Sequence, residues 1–110
     1  MLDTNYVERF SDAELVQIID AGLIYMCACP AQVAQAIRKL RELYYYQLNC
    51  LEDAENSAAV HQLIAKSTIT ALAELEGCME QILVLEQWDR ATLQMPEGLR
   101  RRQMIELLGD

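Results

Sequence analysis

Apolar residues recur every three or four positions over three stretches of the chain, the period of a helix buried along one side and not the alternation of a half-buried strand. The first stretch opens at Phe10-Ser11-Asp12-Ala13-Glu14-Leu15. Ser11 is placed to cap the first turn and Glu14, three residues on, to reach back to it, while Phe10 and Leu15 flank the cap as a hydrophobic staple. Leu15, Ile18, Ile19 and Leu23 continue the stripe, so helix 1 is expected from about 12 to 26, with Gly22 either ending it early or lying inside it.

Pro30 is best tolerated in a first helical turn, where its missing N–H costs nothing, which makes Cys29 the expected N-cap of helix 2. Val33, Ile37, Leu40, Tyr44, Leu48 and Leu51 then carry a stripe over 30–51, with Arg38, Lys39, Arg41 and Glu42 expected mainly on the outer face. The acidic and cap-forming run Glu52 to Ser57 suits a connection and a new helix start. Val60, Ile64, Ala71, Leu72, Leu75, Met79, Ile82 and Leu85 predict helix 3 over about 57–92. At roughly 50 Å it would overhang helix 2, so either a break near Ser67-Thr68-Ile69-Thr70 or Gly77, or cover by a second copy of the chain, is expected. Pro96 opens a short fourth helix, 96–108, with Leu99, Met104, Ile105, Leu107 and Leu108 on one side.

These elements predict an all-α fold: one domain, 1–110, built as an antiparallel bundle of three long helices plus a short C-terminal helix. Length and composition agree with that, since 110 residues at 53% hydrophobic and 24% charged suit a single buried core and not a disordered chain. The longest apolar run, Ala21 to Ala31, is about half a bilayer span, and no basic-then-apolar leader opens the chain, so a cytoplasmic protein without membrane contact is expected. A net charge of −8, relieved only by a basic excess around Arg38 to Arg41, disfavours nucleic acid as a partner and favours a protein.

The strongest local chemical signal is Cys27-Ala28-Cys29-Pro30, because a thiol at a helix N-terminus faces unpaired N–H groups that stabilise a thiolate. Small buried packing residues account for the same pattern. With Cys50 and Cys78, the pair Cys27 and Cys29 offers ligands for zinc or an iron–sulfur cluster, although zinc sites usually show two tight ligand pairs and this chain has one. Cys78 shares its stripe with Leu75, Ile82 and Leu85, and Cys50 borders that of Leu40 and Leu43, so packing explains both. His61, the lone histidine, suits a capping or exposed position, and no Glu-x-x-His pair for a di-iron site is present.

Tyr44, Tyr45 and Tyr46 cannot share one core, since successive helical side chains diverge by about 100°. Those left outside, and Trp88 near the end of helix 3, are candidate interface residues. The chain shows no phosphate loop, nucleophile elbow or dinucleotide fingerprint, which leans away from an enzyme and from any cofactor. The leading expectation is a protein–protein interaction or regulatory module acting as a homodimer through the long helix. The alternative is a thiol redox or metal protein using Cys27 and Cys29 with Cys50 or Cys78. A third reading takes Ser11 to Leu43 as a DNA-binding helix-turn-helix, against which stand the few donors offered by Ala31, Gln32 and Gln35 and the acidic surroundings.

Overall fold

The computed structural model describes residues 6–25, 28–51 and 58–96. Cys27, the 52–57 connection and all but the first residue of the expected fourth helix lie outside the described residues. Regular structure among the described residues is helical throughout: α1 (Asp12–Tyr25), α2 (Ala28–Leu51) and α3 (Ala58–Leu85).

Helix α1 starts where its cap directs. The Glu14 N–H donates to Ser11 Oγ at 3.1 Å and the Ser11 N–H donates to Glu14 Oε1 at 2.9 Å, a reciprocal capping box that satisfies two otherwise unpaired donors. Phe10 and Leu15 are both fully buried in the core, so the staple closes as well. The helix runs through Gly22 to Tyr25. Helix α2 begins at Ala28, which puts Cys29 inside the first turn instead of at the cap, with Pro30 buried behind it.

Helix α3 is continuous for 28 residues, about 42 Å, and stops seven residues short of the expected 92. The Ser67-Thr68-Ile69-Thr70 stretch does not break it, because Thr68 Oγ1 donates to the Ile64 carbonyl at 2.7 Å and Thr70 Oγ1 to that of Lys66 at 3.3 Å. Hydroxyls that could compete with the helix are thus spent on its own carbonyls. The end is a Schellman motif: the Trp88 N–H donates to the Leu83 carbonyl and the Gln87 N–H to that of Val84, around Gln87 at φ 60°. A second tight turn follows, in which Asp89 Oδ1 accepts from the Ala91 and Thr92 N–H groups.

Helix α2 packs against both α1 and α3. Residues 86–95 return to the core, where Trp88, Leu93 and Met95 join Phe10, Leu15, Ile18 and Ile19, Ala34, Ile37 and Tyr44 of α2, and Ala65, Leu72, Met79 and Leu83 of α3. Gln17 fastens this return by donating to the Thr92 carbonyl at 2.7 Å.

The buried register differs from the expected one at three places. Arg41, expected on the outer face of α2, is 3% exposed. On α3 the buried positions are Ala65, Thr68, Leu72, Glu76, Met79 and Leu83, a single narrow stripe at the helical period. Val60 and Leu85, expected within that stripe, are exposed, as is Cys78, because each lies roughly 120–140° around the helix from the stripe's centre.

Candidate functional site

Arg41 and Glu76 occupy apolar register positions on facing helices, Arg41 between Ile37 and Tyr44 and Glu76 between Leu72 and Met79, and both are buried. Their groups meet as Arg41 Nη2 donates to Glu76 Oε1 at 2.9 Å. Tyr6 closes a ring with them: Arg41 Nε donates to Tyr6 Oη at 2.7 Å, and Tyr6 Oη in turn donates to Glu76 Oε2 at 2.6 Å. The guanidinium also donates to Asp12 Oδ1 at 2.8 Å and to the Phe10 carbonyl at 2.6 Å, and the Arg9 N–H donates to Glu76 Oε1 at 3.0 Å. One buried cation therefore binds the segment before α1, the start of α1, and α3 to the middle of α2.

Burial, followed by the hydrogen bond to Glu76, holds the Tyr6 hydroxyl well above its ordinary value, so it stays a donor. Burial works against the Arg41 charge, but the bonds to Tyr6 and Asp12 outweigh it and the group is held protonated above its ordinary value. With four of its five N–H donors engaged in a closed network, Arg41 is a clamp for the fold and not a group offered to substrate.

A second, exposed cluster ties the returning segment to the front of α1. Arg90 donates to Glu80 at 2.7 Å, to Glu14 at 3.3 Å and to the Arg9 carbonyl at 2.9 Å, and stacks its guanidinium 4.3 Å from the centre of the Phe10 ring.

The three cysteines among the described residues are not gathered. Cys29 is exposed in the first turn of α2 and Cys50 is half-buried near its end, about 32 Å along the same helix, so the two cannot share an ion within one chain. Cys78 is exposed on α3. Among the described residues no three of His, Cys, Asp or Glu stand together in a way that would hold a metal. His61 is half-buried and its Nδ1 pairs with Oε1 of the buried Gln47 at 2.6 Å.

The aromatic candidates separate cleanly. Tyr44 is a core residue at 2% exposure, edge-on to Tyr6 with ring centres 5.8 Å apart. Trp88 is also core, its Nε1 donating to Glu86 at 2.9 Å. Neither faces outward as an interface residue of the kind considered from sequence. Tyr45 is half-exposed and donates to Glu8, while Tyr46 is 63% exposed.

Open apolar surface among the described residues occurs at Val7, Val16, Leu43, Tyr45 and Tyr46 as well as at four positions of α3. Val60, Leu63, Val84 and Leu85 are 53%, 66%, 75% and 81% exposed, and a concavity of about 290 Å³ is lined by Glu80, Gln81, Val84 and Leu85. A second concavity, of about 330 Å³, lies beside the basic stretch of α2, lined by Gln35, Arg38, Lys39 and Glu42. Sequence reading placed Val60 and Leu85 inside and did not single out Arg41, Glu76 or Tyr6. The available signal was a pair of opposite charges, each in the register of an apolar stripe.

Comparison of the chain with protein-family models, with curated proteins and with solved structures finds no match.

Proposed function

We propose that this chain is a non-enzymatic protein-binding module of the cytoplasm: an antiparallel helical bundle, completed by a short C-terminal helix, that presents the outward face of α3 to another protein chain. The observation that supports this is the one-sidedness of α3. A narrow stripe from Ala65 to Leu83 carries all of its buried residues, flanked by half-buried Ile69 and Leu75, while four large apolar side chains stay in water on other sides. Scattered apolar exposure is ordinary, and Val7, Val16 and Leu43 show it elsewhere, but three of the four most exposed large apolar side chains, Leu63, Val84 and Leu85, lie on α3, the last two lining a concavity. The buried charges lie where they lock the fold, with no concavity among those described beside them, and that weighs against a catalytic use.

Native mass spectrometry of the protein isolated from its own cells under reducing, anaerobic conditions tests the reading. The expected result is the 12.6 kDa chain carrying the mass of a further polypeptide, lost when Leu63 and Val84 are both replaced by Ser. A bare 12.6 kDa species overturns it, and a bound metal or cluster mass would transfer the function to the cysteines.

A further inference from the structure

Helix α3 carries a face that is complementary to itself when a second copy runs in the opposite direction. At about 100° per residue, Leu63, Lys66, Thr70, Ala73, Gly77, Gln81 and Val84 fall within an arc of about 80°, turned away from the buried stripe. All are exposed except Gly77, which is half-exposed. A Cβ built on Gly77 meets nothing within 4 Å, so the backbone there lies open to a close neighbour.

The arc, with Glu80 about 20° outside one edge, is arranged nearly symmetrically about Ala73. Leu63 and Val84 stand ten residues before it and eleven after, Lys66 and Glu80 seven on either side, Thr70 and Gly77 three and four. Each pair is chemically matched: apolar with apolar, cation with anion, small with small. In an isologous dimer residue i meets j while j meets i, so one antiparallel register brings all the pairs together to within one residue.

We infer that the partner on this face is a second copy of the chain, its α3 packed antiparallel across Ala73. Leu63 enters the apolar concavity beside Val84 of the second copy, Lys66 pairs with Glu80 of the second copy, and Ala73, Thr70 and Gly77 let the helix backbones approach. Glu80 is held ready by Arg90, which occupies its Oε1 and leaves Oε2 to a second cation. Glu74 lies just outside the arc, at the rim, where water and salt screen the two copies' carboxylates from one another. This names the partner for the surface of the preceding section and rests on that reading.

Sedimentation of the purified chain against concentration reads the outcome. The wild type is expected to form a dimer of 12.6 kDa chains. Lys66→Glu sets two like-charge contacts in place of two ion pairs and should weaken the dimer on the order of tenfold. Lys66→Glu combined with Glu80→Lys restores the pairing with reversed sign and should recover most of the loss, with circular dichroism at low concentration confirming that each variant folds. Glu74→Gln is expected to tighten the dimer. A chain that stays monomeric at every concentration overturns the second copy as partner. The broader reading would then survive if native assemblies from cells contain a different protein. A dimer indifferent to Lys66→Glu overturns this pairing of α3.

Discussion

Arg41 shows how a long cationic side chain becomes a core residue. Its guanidinium gives up water for Tyr6, Asp12, Glu76 and the Phe10 carbonyl, so what remains inside is a charge pair with its hydrogen bonds made. Arg41→Met leaves Glu76 buried and uncompensated, and should cost about 3–5 kcal/mol in urea unfolding. Glu76→Leu should cost a similar amount, and the double variant clearly less than the sum of the two, by on the order of 2 kcal/mol. Tyr6→Phe removes one acceptor and one donor from the ring and should cost about 1–3 kcal/mol near neutral pH. The same hydroxyl sets an alkaline limit. Its value in the fold is raised above the 10.0 of a free tyrosine, so its contribution is complete below about pH 10 and is lost as pH rises from there toward the folded value. Urea midpoints measured from pH 9 upward should fall more steeply for wild type than for Tyr6→Phe. Tyr45, raised by burial and then by Glu8, adds a smaller share that Tyr45→Phe isolates.

Elements were legible where their determinants are local. Ser11 with Glu14 and Phe10 with Leu15 act within five residues, and the start of α1 follows from them. The end of α3 was not legible, because a Schellman stop is signalled by glycine and this one uses Gln87 at φ 60°. Nor was the burial of Arg41 and Glu76, since each is polar alone and apolar in effect only through a partner 35 residues away. Three predictions follow from backbone conformation. Gln87→Gly relieves a left-handed side-chain clash at an exposed site and should raise stability by roughly 0.5–1 kcal/mol, read as a higher melting temperature. Leu93 shares that conformation at φ 58° but is 2% exposed, so Leu93→Gly should be a net loss: the buried side chain contributes about 1.5–3 kcal/mol, more than the strain it tolerates. Gly77→Ala, measured at concentrations low enough to keep the chain monomeric, should gain roughly 0.5–1 kcal/mol, since the added methyl has open space and the helix gains propensity.

At the scale of the whole molecule, the extents of 59 × 23 × 18 Å describe a rod about two helices thick. Its radius of gyration of 17.3 Å exceeds the roughly 13 Å of a compact chain this long. Sequence periodicity supplied the helices but not this shape, because an amphipathic stripe says that a face is covered without saying how many neighbours cover it. A rod leaves much of each helix beside water, which is why large apolar side chains are exposed on all three: Val16 on α1, Leu43 on α2, and Val60, Leu63, Val84 and Leu85 on α3.

The clamp around Arg41 also sets an order of events in time. Tyr6 and Arg9 are made before Glu76, the carboxylate they bind, which is 70 and 67 residues further along the chain. The front of the protein therefore waits, with Phe10 uncovered, until α3 has been synthesised, and closing so long a loop is a late step that the pairing of α2 with α3 does not need. Tyr6→Phe should accordingly quicken unfolding while leaving the refolding rate nearly unchanged in stopped-flow experiments followed by Trp88 fluorescence. The latch that makes the finished molecule firm would then leave the segment before α1 without shelter until α3 is made.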